Sequence, residues 1–299
     1  MKLAAVHEIA TTRVAVMGLS GVGKSTLVSK LANDGYILHW ISLDNDKDIL
    51  FKLPKESWDN IDYIELPDSA TFPVAADSLM KLFKNGSANF CYDHGVDGCQ
   101  VCKKDKPESF SHIDFSKFDP KKDILVIDTG SQLGHSILSH TLKDEPIEYK
   151  PERDDWGALR KWTEFFFSQW QAARFNLIVV FHSIEAKMED NRTKMVPAFG
   201  SRDMSSKVAG CFSHVVYLDV VNGKHVAYSA STYSNNVLTK SRTDFVIESL
   251  NQPSLLPIFT GVIPETMLKK EEPPTSDVDP SKAASKLEEL RSKLLKGKK

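Results

Sequence analysis

The pattern Gly18-x-x-x-x-Gly23-Lys24-Ser25 sits inside the stretch Val14 to Leu27, VAVMGLSGVGKSTL. It is the phosphate-binding loop pattern, and each residue type has a task. Gly18, Gly21 and Gly23 let the backbone take conformations that a side chain would forbid. Its N–H groups can then turn inward around phosphate oxygens. Ser20, Val22 and Thr26 complete the expected nucleotide-binding set. Lys24 would reach the β- and γ-phosphates, and the Ser25 hydroxyl would ligate Mg²⁺. The expected chemistry is Mg²⁺-dependent ATP hydrolysis, although no motif that reads the base is recognisable.

Two carboxylates and a histidine follow apolar runs in the way such a site needs. Asp123-Ile-Leu-Val-Ile-Asp128 is a buried strand ending in a carboxylate, the form that delivers an aspartate to the Mg²⁺ shell. Asp44 directly follows the run Tyr36 to Leu43 and opens the cluster Asp44-Asn-Asp46-Lys-Asp48. It could position the attacking water; the alternative is a solvated acidic turn. His182 ends the run Asn176 to Phe181 and could sense the γ-phosphate, or be a satisfied strand-end histidine. Thr129, Ser131 and Gln132 could do the same. Lys240 and Arg242 lie two residues apart on an expected extended segment, so they point the same way. They could reach a neighbouring subunit's γ-phosphate.

A second chemistry is spelled by Cys91-x2-His94-x4-Cys99-x2-Cys102, which holds three of the chain's four cysteines. Two short chelating pairs joined by a glycine-bearing turn can close a tetrahedral Cys₃His site for structural Zn²⁺. Four protein ligands leave no open position, so no catalysis is expected there. The alternative is a set of reduced thiols with His94 solvated. Residues 86–106 read as an insertion that could contact nucleic acid or protein. Cys211 reads as a buried thiol.

These groups need a scaffold of parallel strands and helices. Strands are expected at Arg13–Met17, Tyr36–Leu43, Ile61–Leu66, Asp123–Asp128, Asn176–Phe181 and Ser213–Leu218. Edge strands are expected at Lys224–Ser229 and Asn236–Thr239, around a turn at Asn222-Gly223. Helices are expected at Ser25–Asn33, Pro73–Phe83 and Asp154–Phe175. The aromatic stripe of the last (Trp156, Trp162, Phe166, Trp170) reads as core more than as a base-stacking platform. Lys103–Lys122 reads as loop. So does Glu185–Arg202, whose Lys187, Arg192, Lys194 and Arg202 could bind a nucleic-acid backbone. From Lys269 the composition shifts to a linker, then a short helix at Ala283–Leu295. The domain reading is 1–268 for the ATPase domain and 269–299 for linker and tail.

Composition narrows the class. The chain has 299 residues, 41% hydrophobic and 26% charged, as a soluble globular protein does. A net charge of −2 means that any nucleic-acid site is a local patch. No apolar run reaches the ~18–20 residues of a membrane span. The opening MKLAAVHEIATTR has too short an apolar core for a signal peptide, so a cytoplasmic protein is expected.

Taken in order, the phosphate loop, Asp44, ILVID, the aromatic helix, LIVVFHS, PAFGSRDMSSKVAGCFSHVVYL and TKSRT resemble the RecA-like P-loop ATPases of bacteriophages. The likeness is to the AAA-type recombination proteins of the Sak single-strand annealing group, over roughly residues 10 to 250. It implies a mostly parallel twisted α/β sheet with helices on both faces and an antiparallel edge, plus the small zinc insertion. It implies ATP-modulated binding of single-stranded DNA in phage recombination or replication, in the host cytoplasm. It also implies self-association into a ring or filament, with Lys240 and Arg242 as the lysine and arginine fingers supplied in trans. A single-strand binding protein or other replication proteins could be partners. Asp44 stands where those proteins often carry a catalytic glutamate. The rival readings are a nucleotide or small-molecule kinase, a nucleotide-gated interaction protein with little turnover, and a helicase or packaging motor.

Overall fold

A computed structural model describes residues 11–44, 47–69, 72–146, 148–188, 191–229, 236–241, 248–249 and 253–260. Arg242, the linker and the tail therefore lie outside the described residues. The centre is a mostly parallel sheet. Strands β1 (Arg13–Gly18), β2 (Ile37–Ser42), β3 (Ile61–Glu65), β6 (Asp123–Asp128), β7 (Asn176–Lys187) and β9 (His214–Val221) lie in the order β9-β1-β7-β6-β2-β3. Every neighbouring pair in that run is parallel. β10 (Lys224–Tyr228) and β11 (Glu248–Ser249) extend it as an antiparallel edge beside β9.

The strand sequences explain the layering. In β1, Val14 and Val16 face one apolar cluster, while Ala15 and Met17 face the other. In β7, Ile178 and Val180 join the first; Leu177, Val179 and Phe181 join the second. Burial on both faces is why these strands read as unbroken apolar runs rather than alternating ones. Helix α1 (Lys24–Ser29) and the 3₁₀ turn Lys30–Ala32 cover one face through Leu27, Val28 and Leu31. Helices α2 (Val74–Asn85), α4 (Gly130–Thr141) and α5 (Arg153–Ala172) cover the other. The α5 stripe is core at Phe166 and Trp170, while Trp162 is half-buried and Trp156, in the first turn, is exposed, which corrects the expectation for that residue. Trp170 is fully buried among Phe166, Phe181, Phe199 and Phe212.

Two expected loops are structured. Lys103–Lys122 contains the end of α3 (Gln100–Asp105) and β5 (Phe110–Asp114), which pairs antiparallel with β4 (Ser87–Cys91). β7 runs on past Phe181 to Lys187 and turns into β8 (Thr193–Pro197), so Glu185–Arg202 is largely a hairpin. Both were hidden by polar composition, since a hairpin that leaves the core needs no apolar run. Helix α6 (Arg202–Val208) follows, its Ser201 hydroxyl accepting from the Met204 N–H. A short helix α7 (Leu256–Thr260) adds Ile258 to the α1 side.

Candidate functional site: a phosphate-loop cleft and a Cys₃His cluster

The parallel strands end together, and the chemistry-bearing residues collect at their carboxyl ends, where ligands bind in open α/β sheets. β1 ends at Gly18. A Cβ there would stand 2.4 Å from the Leu218 carbonyl oxygen, so this crossing of loop and β9 needs glycine. Gly23 caps the start of α1 with φ +89°, a left-handed conformation that costs a side-chain-bearing residue about 1–2 kcal/mol.

Ser20, Gly21, Gly23, Lys24, Ser25 and Thr26 line a cavity of about 410 Å³ together with Asp44, Asp128, Thr129 and His182. That volume suits a small ligand. Val22 is buried beneath the loop. The strand order explains the convergence. β2 and β6 are neighbours with Ser42 opposite Asp128, and the Leu43 N–H donates to the Asp128 carbonyl at 2.6 Å. Asp44 therefore stands beside Asp128. β1 pairs with β7 so that Gly18 is opposite His182.

Lys24 is buried, and its ammonium donates to the Leu19 carbonyl at 2.8 Å. Burial lowers its pKa, while the Asp128 and Asp44 carboxylates act in the opposite direction. The Thr129 hydroxyl caps α4 by accepting from the Gln132 N–H, and donates to Asp44 at 3.3 Å. Ser131 accepts from the His182 N–H at 2.9 Å and donates to the Ala198 carbonyl at 2.8 Å. It thus anchors His182 at the point where β7 leaves the core. His182 Nε2 lies 3.9 Å from Asp44. Burial first, then the Lys24 charge, holds its pKa below the ordinary histidine value against the pull of Asp44. The Ser25 hydroxyl and the Asp128 carboxylate, both hard oxygen donors in one cleft, fit Mg²⁺.

Sequence reasoning missed His225. It lies on β10, and its Nδ1–H donates to the Val22 carbonyl at 2.9 Å, with the ring 3.4 Å from where a Gly23 Cβ would be. Only the folding of β10 against β9 brings it there, and no local pattern announces it. Ile49 and Lys52, on the 3₁₀ turn after Asp44, and Pro253 also line the cleft. Lys240 does not line it. It bridges Val215 near the start of β9, and its ammonium donates to the Phe212 carbonyl at 2.7 Å.

The second constellation assembles as read. The donor atoms of Cys91, His94, Cys99 and Cys102 all lie within 4.8 Å of one another. His94 Nδ1 is 3.8, 3.8 and 3.2 Å from the sulfurs of Cys91, Cys99 and Cys102. A tetrahedron with Zn–S and Zn–N bonds of about 2.3 and 2.0 Å has edges of about 3.5–3.8 Å, so the donor set fits Zn²⁺. The Cys102 N–H, directed at the Cys99 sulfur, is the first cause that brings that thiol down to about 7. Cys211 is a buried thiol in the core, pushed up to about 12 by burial.

Among the described residues no helix is long and apolar enough to cross a membrane. No curated protein matches the chain. A family model described as an AAA domain matches residues 10–243, from the start of β1 through the segment holding Lys240. With the phosphate loop, Asp128 and the parallel sheet in place, the chain belongs to this AAA domain family of nucleotide-binding P-loop ATPases.

Proposed function

We propose that the protein binds ATP with Mg²⁺ and hydrolyses the β–γ anhydride, and that single-stranded DNA modulates this cycle. The observation that supports hydrolysis is the meeting of Lys24, Ser25, Asp128, Asp44 and His182 in one cleft at the strand ends. The loop N–H groups and Lys24 hold the phosphates and offset charge that builds on the leaving oxygens. Ser25 and Asp128 would hold Mg²⁺, which when bound would offset the phosphate charge in the transition state. Asp44 orients water for in-line attack. His182 reports whether the γ-phosphate is present, through its contact with Asp44 and its tie to Ser131.

Lys240 and Arg242 would complete the site of a neighbouring copy, so turnover would require self-association. Lys240 must then leave the Phe212 carbonyl. The DNA reading is supported by the resemblance and by the β7–β8 hairpin. That hairpin carries Lys187, Arg192 and Lys194 and grows directly from the His182 strand. The Cys₃His cluster holds structural Zn²⁺. The test is phosphate release with Mg²⁺ and ATP, alone and after Mg²⁺ chelation, beside Lys24→Ala. Release that needs both the ion and Lys24 is expected. Phosphate passed to a small acceptor by a monomer would replace this reading with the kinase one.

A further inference from the structure

We propose that the Cys91–Cys102 metal loop is the buttress that sets the Asp44 turn, so that Zn²⁺ held by this loop governs turnover in the phosphate-loop cleft. For its catalytic half this rests on the reading of Asp44 given above.

The path is short and made of backbone. Gly95 lies between the ligands His94 and Cys99, and its N–H donates to the carbonyl of the ligand Cys91 at 2.9 Å. Its own carbonyl accepts from the buried Ser78 hydroxyl at 3.1 Å. A Cβ on Gly95 would stand 2.5 Å from the Glu65 carbonyl oxygen and 2.9 and 3.0 Å from Leu66 atoms. The metal loop therefore lies backbone to backbone on the end of β3.

That end of β3 holds the Asp44 turn from both sides. The Leu66 N–H donates to the carbonyl of Ser42, two residues before Asp44, at 2.9 Å. The Glu65 carboxylate pairs with Lys47, three residues after it, at 3.5 Å. A closed four-ligand metal fixes the loop that presses on Glu65 and Leu66. Without it the loop keeps its backbone hydrogen bonds, such as Cys91 N–H to the Val96 carbonyl and Gly98 N–H to the Asn89 carbonyl, but loses the clamp that joins His94 to Cys99 and Cys102. Tyr92, Asp93 and His94 are exposed, so this is the segment that opens locally. Gly95 is a positioning residue in this scheme and touches no substrate.

The experiment uses the full chain. Metal analysis of the purified protein should find one zinc per chain, and Cys99→Ser should remove it. Amide hydrogen exchange on wild type before and after stripping with a zinc chelator should show the Leu66 amide exchanging at least tenfold faster without metal. Gly95→Ala should keep the zinc and the affinity for ATP while hydrolysis falls by about tenfold, since displacements near 1 Å are costly at a reacting centre. Gly98→Ala is the control. Gly98 has the same left-handed strain at φ +63°, but its Cβ would meet nothing within 4 Å. Its hydrolysis should stay near wild type.

Protein that takes up no zinc overturns the metal. A Leu66 amide indifferent to stripping, or a zinc-loaded Gly95→Ala that hydrolyses like wild type, overturns the buttress. If the wild type hydrolyses nothing, the ATPase reading fails, and metal content and amide exchange still decide this one.

Discussion

Replacing His39 by Gln should weaken the sheet in a pH-dependent way. His39 sits on β2, the strand that leads to Asp44, with Nδ1 3.0 Å from Asp62 on β3 and Nε2 3.1 Å from Asp123 on β6. Its ring stacks on Phe118 at 4.3 Å. With a carboxylate on each nitrogen, the imidazolium is the favoured form. Burial pulls its pKa down, but the Asp62 and Asp123 carboxylates outweigh that and raise it overall. The His39 and Asp123 side chains are 13% and 12% exposed, so that pair takes the value of a hydrogen bond between charged groups, about 1.5–3 kcal/mol. Asp62 is 57% exposed, so its share is discounted to below about 1 kcal/mol.

A raised folded-state pKa contributes stability that is fully present below the unfolded value of ~6.5. It is lost as pH rises through the folded value. His39→Gln should therefore cost about 2 kcal/mol at pH ~6, or roughly 4–8 °C in Tm for a domain of this size. The gap should narrow as pH rises. Urea unfolding of both proteins across this range measures it. A gap that stays constant, or widens toward alkaline pH, would refute the doubly bridged imidazolium.

Other outcomes follow from the same geometry. Asp44→Asn should leave ATP bound and lower kcat by about 10²-fold, the usual cost of losing a positioned acid–base group; single-turnover kinetics separate the two effects. His225→Ala removes the donor to the Val22 carbonyl and should raise the ATP Kd by roughly fivefold, the equivalent of one net hydrogen bond of ~1 kcal/mol. Equilibrium titration with a fluorescent ATP analogue reads it. Trp170→Ala should cost about 3–5 kcal/mol in denaturant unfolding, because the ring is fully buried among five phenylalanines.

What could be read from the residues was the interior. β1, β6 and the first half of β7 are buried on both faces, so their apolar runs carry no ambiguity. The phosphate loop and Asp128 were legible because they adjoin those runs. α2 runs two residues past the expected Phe83, to Asn85, where Gly86 at φ +77° ends it. Helix α4 was not legible. GSQLGHSILSHT has poor helix propensity, and its Gly134 is there for close packing, since a Cβ would stand 2.5 Å from the Gly200 nitrogen. Thr129 and Ser131 serve as a helix cap and as the anchor of His182, roles that their sequence neighbours do not announce. The β5 and β8 strands stayed hidden because they pair at the rim, where polar residues are tolerated. The Cys₃His spacing needed no fold to be read. Its contact with the end of β3 through Gly95 could come only from the coordinates.

The most direct measurement is phosphate release by zinc-replete protein with Mg²⁺ and ATP, with and without single-stranded DNA, beside Lys24→Ala. The account predicts hydrolysis that single-stranded DNA stimulates and that vanishes in the variant. Hydrolysis indifferent to DNA would contradict the proposed action on single strands. ATP bound but never hydrolysed would contradict the ATPase itself.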